Sequence, residues 1–305
     1  MINFRYHIVS LMAVFLALAV GITLGVTLVS DEANEGLAAQ AEQDRKQVQA
    51  YREQLEQQRV VNDYRDAYAK MVGRSVTRGM LSGTGVALVT MPGAPRSTIS
   101  AIKTAINDSG GTLTATAAVS SDVFDPEESD DLTDLVNDFP LQYEENATLA
   151  TQFGSLLGRS MLAGQPGTLD QMALDTGDAL NGQFVQISRN SDLAAELAIV
   201  VTAPAADPPV GAEALTQHVE CYVALVQRSR GGVVAGPNST GIDGTDVATL
   251  RAEPQSRELL SSVDAADLPS GVSTVIMASR EVMMDGQGHY GFANSSDAPA
   301  PELPN

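Results

Sequence analysis

Gly83-Thr84-Gly85-Val86-Ala87-Leu88-Val89-Thr90-Met91-Pro92-Gly93 is the stretch on which the fold turns. The run from Val86 to Met91 is continuously apolar or β-branched, with glycines before it and Pro92-Gly93 after it, the pattern of a strand buried on both faces. Ser97 then stands where a helix to about Asn107 needs its cap, and Gly110-Gly111 stops that helix. Thr112 to Val119 is a second β-branched run. The segment predicts a β-α-β unit.

Downstream, Leu197 to Thr202, Gly232 to Ala235 and Val272 to Ala278 read as further short strands, with a helix over Gly211 to Arg228 and two or three helices between Pro126 and Leu180. Strands alternating with helices predict a parallel sheet covered on both faces. A dinucleotide-binding version would carry a glycine fingerprint directly after the first strand. That place holds Met91-Pro92-Gly93-Ala94-Pro95, and proline offers no amide to a phosphate.

Upstream lies a different kind of sequence. Ile8 to Val29 is a run of 22 residues without a charge, about 33 Å long as a helix and enough to cross a bilayer. The run exceeds the ~7–15-residue core of a cleavable signal, so an uncleaved anchor is expected. Arg5 precedes it while Asp31, Glu32 and Glu35 follow, which predicts a cytoplasmic N-terminus at the plasma membrane, a single pass and an extracytoplasmic body. Gly21 and Gly25 form a small-xxx-small pair suited to helix contact.

Between anchor and body, residues 31–79 contain no proline and are dense in Gln, Glu, Arg and Ala. Leu37, Ala41, Val48, Tyr51 and Leu55 follow a heptad seam, weakened at Asp44. After a slip of register, Val60 or Val61, Tyr64, Tyr68 and Met71 continue it. A helix this polar needs company, so a parallel dimer or a partner helix is expected, with a stalk folded back on its own globular domain as the alternative. The chain thus reads as an α/β protein with one N-terminal transmembrane helix, a long coiled-coil stalk and a Rossmann-like parallel α/β domain lacking a dinucleotide fingerprint. Its parts are a cytoplasmic N-terminus (1–7), the transmembrane helix (8–29), the stalk (30–79), the extracytoplasmic domain (83–292) and a disordered, Pro-rich tail (293–305).

Composition narrows the chemistry. Among 305 residues, 38 Asp and Glu oppose 18 Lys and Arg, a net charge of -20 that repels a phosphate backbone, so no nucleic acid is expected. One cysteine, Cys221, excludes an internal disulfide and a four-cysteine zinc site. No G-x-S-x-G elbow occurs and only His7, His218 and His289 offer an imidazole, so no catalytic residues and no enzyme are expected. His218 and Cys221, one helical turn apart, present an imidazole and a thiol that suit a soft metal such as Cu(I). Met277, Met283, Met284 and His289 form a second soft-ligand group by composition. Core packing explains the same residues, so no cofactor is expected, with copper the exception to test. Glu127, Asp131, Asp134 and Asp138 share a helix face that solvation alone accounts for.

The N-terminal run Phe4-Arg5-Tyr6-His7-Ile8-Val9-Ser10-Leu11, continuing from Ala13 through Gly21 to Gly25, resembles the start of the actinobacterial copper transporter MctB family, called SteB in corynebacteria. The stalk, Gly110-Gly111-Thr112-Leu113-Thr114-Ala115-Thr116 and Gly286-Gln287-Gly288-His289-Tyr290-Gly291 are similar as well, so the likeness covers nearly the whole chain. The resemblance implies a mycolate-bearing bacterium and one of two roles: copper export or tolerance, or daughter-cell separation. For the second it implies a complex with SteA, a membrane protein, and control of a peptidoglycan hydrolase. A lone apolar helix offers an ion no path through hydrocarbon. The leading expectation is therefore a membrane-anchored scaffold of the SteB kind in cell division, with copper homeostasis as the alternative and a degenerate α/β enzyme as a third.

Overall fold

The structure is a computed structural model describing residues 4–302 apart from 140, 142, 144, 145 and 239, and without the side chains of 27–36 and 38. The expectations for residues 1–3 and 303–305 lie outside the described residues. The chain divides into two compact units, Met1–Tyr64 and Arg65–Asn305.

The first unit is helix. Helix α1 (Phe4–Thr77) continues without a break through the expected boundary at Ser30. Its segment Phe4–Val26 has a mean hydropathy of 2.5 and is long and apolar enough to span a membrane. Helix begins before residue 8 because Phe4 and Tyr6 extend the apolar run past Arg5 and His7. Along the stalk the i,i+4 pairs Glu42–Lys46 and Gln49–Glu53 stabilise the helix locally. The seam is open, with Leu37 and Leu55 each 65% exposed. Helix is shown here; coiled coil is not.

In the second unit, α1 ends at Thr77, where the chain turns through Gly79 at φ 78°. Strand β1 (Gly85–Thr90), helix α2 (Arg96–Asp108) and strand β2 (Thr112–Val119) form the expected β-α-β unit. Three helices follow, α3 (Ser129–Asn137), α4 (Leu149–Met161) and α5 (Gln171–Leu180), then strands β3 (Val185–Arg189) and β4 (Leu197–Val201). The rest comprises α6 (Ala212–Val226), β5 (Gly231–Ala235), α7 (Asp246–Ala252), α8 (Pro254–Leu259), β6 (Ser261–Val263), α9 (Pro269–Met283) and β7 (His289–Tyr290). The sheet order is β3-β2-β1-β4-β5-β6-β7. Every pair is parallel except β2 with β3.

This order reverses between β1 and β4, as in doubly wound folds. The pleat of β1 divides the core. Val86 and Leu88 face Ile102 and Ile106 of α2 and Val275 and Ile276 of α9. Ala87 and Val89 face the opposite cluster, built on Phe153 and Leu157 of α4 and Tyr222 and Leu225 of α6. Both sheet edges are blunted: the Ile187 amide donates to Asn181 Oδ1 beside β3, and Tyr290 pairs with Ala298 beyond β7.

Two expectations are corrected. Val272 to Ala278 is part of helix α9, started by Pro269 at its first turn, and buries Gly271, Val275, Ala278 and Val282 at helical spacing. The expected disordered tail is tied down as far as Ala298. Ser295, Ser296 and Asp297 bond the guanidinium groups of Arg251 and Arg257, because a buried arginine needs acceptors on every side.

Candidate metal-binding site

Helix α6 carries His218 and Cys221, and the structure sends them to different surroundings. His218 Nδ1 lies 2.7 Å from Asp246 Oδ1 at the start of α7, and its ring meets the edge of Phe124 with centroids 4.3 Å apart. Cys221 is buried between α6 and α4, where Gly154 packs on its backbone. Burial pushes the thiol up to about 12, so the thiolate that a soft metal needs is suppressed. The pair predicted from spacing offers no joint metal site.

His289 is also taken. Its Nε2 lies 3.0 Å from the Arg257 carbonyl, which can only accept, so Nε2 carries the proton; Nδ1 then accepts from Ser262 Oγ at 2.8 Å. Burial holds the ring below the ordinary imidazole value. Neither nitrogen keeps a free lone pair for a metal. Met283 packs against the core on the α9 side of the sheet.

The remaining soft ligands do converge. Met277 of α9 and Met284, the residue that caps the end of that helix, line a groove of about 740 Å³. Met80 lines the same groove while packing in part against the core, in the turn where its amide donates to the Thr77 carbonyl at 3.1 Å. Sequence reasoning missed Met80, because nothing local to residues 77–83 points to a partner two hundred residues away. Met284 is 53% exposed, which leaves its thioether accessible. Arg78, Arg280, Glu281 and Glu302 are its charged lining residues among those described, and Glu281 is engaged by the Tyr290 hydroxyl at 2.5 Å. Met80, Met277 and Met284 thus line one groove, and thioethers as a class suit Cu(I) better than hard cations. A thioether also needs no deprotonation, so the site would take metal at any physiological pH.

Gly21 and Gly25 of the small-xxx-small pair have nothing within 4 Å. The close helix crossing observed is elsewhere: a Cβ on Gly154 or Gly158 of α4 would collide with the backbone carbonyls of Cys221 or Leu225 of α6.

Residues 1–301 match the model of the family described as "Copper transport outer membrane protein, MctB". Proteins named "Copper transporter MctB" from Mycobacterium tuberculosis and Mycobacterium bovis are each 29% identical over 308 residues, covering 97% of this chain and 98% of the relative. One of the same name from Mycobacterium leprae is 27% identical over 316 residues with the same coverage.

Proposed function

This chain belongs to the MctB family, and from that premise we propose that it is a membrane-anchored copper-homeostasis protein that takes Cu(I) as cargo between Met80, Met277 and Met284. The convergence of these three thioethers on one groove carries the reading. The relatives' names speak of copper and none speaks of cell division. Copper homeostasis is therefore preferred to the SteB-like adaptor, for which neither the names nor the geometry adds support. The protein acts by binding rather than by catalysis. An apolar span offers a cation no path of its own, so the groove captures or hands over copper and the helix anchors it. Arg5 before the span and acidic residues after it favour a cytoplasmic N-terminus with the body outside.

The stalk fits a second copy of the chain. With Ala41, Val48 and Leu55 at one seam position, Gln40, Gln47 and Gln54 flank it on one side and Arg45, Arg52 and Arg59 on the other. In a parallel pair each arginine then faces a glutamine rather than another cation. A common membrane anchor enforces that parallel orientation.

A deletion strain should accumulate more intracellular copper than its parent. Restoration by the natural chain but not by the Met277→Leu/Met284→Leu variant supports this function. Equal copper in the deleted and parental strains contradicts it.

A further inference from the structure

A second cavity, of about 430 Å³, lies between α4, α6 and α8 and shares no residue with the thioether groove. Its size falls within the ~300–1,000 Å³ of small-molecule sites. Polar groups converge on it from three elements. Glu220 of α6 accepts from Thr148 Oγ1 at 2.6 Å, and Glu253, just before α8, accepts from Ser256 Oγ at 2.8 Å. Each carboxylate has four lone-pair sites, so both keep acceptor capacity facing the cavity. The Gln227 side chain adds an amide. Tyr143 contributes a hydroxyl shielded from solvent with no partner among the described residues, and burial raises its pKa so that it keeps its proton and stays a donor. Val223 and Ala224 supply an apolar wall.

The lining selects a chemical class. Among the described residues no lysine or arginine lines the cavity, which argues against phosphates and carboxylates. Two carboxylates are too few, and the space too large, for a bare hard cation, which takes ~6–8 oxygen ligands in a close shell. Alternating hydroxyls, amides and carboxylates beside an apolar wall match the alternating hydroxyls and C–H face of a sugar ring. We propose that this cavity binds a neutral saccharide of one or two rings, with Glu220 and Glu253 accepting from ring hydroxyls and Tyr143 donating to a ring or linkage oxygen.

The test uses the full chain in lipid nanodiscs, since alkyl-glycoside detergents are themselves saccharides. Saturation-transfer NMR is run with cellobiose and N,N′-diacetylchitobiose, with putrescine and glucose 6-phosphate as the cationic and anionic probes. Saturable binding of at least one disaccharide, weakened tenfold or more in Glu220→Gln and in Tyr143→Phe, supports the site. Tyr143→Phe removes one oxygen and decides the matter if Glu220→Gln unfolds. Absence of transfer to both disaccharides, undiminished binding in Tyr143→Phe, or tighter binding of putrescine or glucose 6-phosphate overturns it.

Discussion

Arg251 and Asp264 form an ion pair at 2.6 Å with side chains 1% and 0% exposed, the most deeply buried among the described charge pairs. The guanidinium also donates to Ser262 Oγ and the Tyr290 carbonyl, each at 2.8 Å, and the carboxylate accepts from the Phe292 amide and Ser296 Oγ. Two otherwise costly charges are satisfied by β6, β7 and the chain that follows, which is why the C-terminal segment is ordered. Removing one partner leaves the other charged and buried. Asp264→Ala is expected to lower stability by about 3–5 kcal/mol and to open residues 291–298 to protease, measured by urea unfolding and limited proteolysis.

The crossing of α4 on α6 requires Gly154, whose missing side chain lets the Cys221 carbonyl approach. Backbone cannot retreat as a side-chain end can. Gly154→Ala should cost about 1–3 kcal/mol through overpacking, whereas Gly167→Ala, with nothing within 4 Å, should stay near the natural stability. Thermal unfolding of the two variants compares them directly.

His289 is held neutral by burial, below the ordinary value of 6.5 that it regains on unfolding. In the interval beneath 6.5 the unfolded chain therefore binds more protons than the folded one, and stability falls as the solution is acidified. Above that interval the contribution is complete and constant. Urea unfolding between pH 7.5 and 5 should show this acid loss, with a shallower slope in His289→Asn; equal slopes would show that the imidazole is not responsible.

The sheet centre was legible because Val86–Met91, Leu197–Thr202 and Gly232–Ala235 are continuous apolar runs, which only two-sided burial explains. Val272–Ala278 misled because a run in which six of seven residues are apolar or β-branched fits a buried helix as well as a strand, and Pro269 was the signal that separates them. Ser261–Val263 is too short and polar to declare itself, and is a strand only because β5 and β7 pair with it. At the candidate site, Met277 and Met284 were visible as soft ligands by composition. Met80 was not, since its relation to them arises from tertiary packing.

Self-pairing of the stalk, as proposed, would place Leu55 at its centre and Glu53 on its outside. Cys221 is buried, so a cysteine introduced in the stalk reports alone. Mild oxidation of native membranes should link Leu55→Cys into a disulfide dimer and leave Glu53→Cys monomeric. The absence of any Leu55→Cys dimer would exclude a parallel pair of identical chains in that register.

Copper capture by the thioether groove is tested most directly by anaerobic competition of the full chain against a chromophoric Cu(I) chelator. One Cu(I) per chain should be withdrawn from the chelator by the natural protein and by Cys221→Ala, with affinity reduced at least tenfold in Met277→Leu/Met284→Leu, a volume-conserving change that keeps the fold. Failure of the natural protein to compete, or competition undiminished by the double substitution, would contradict it.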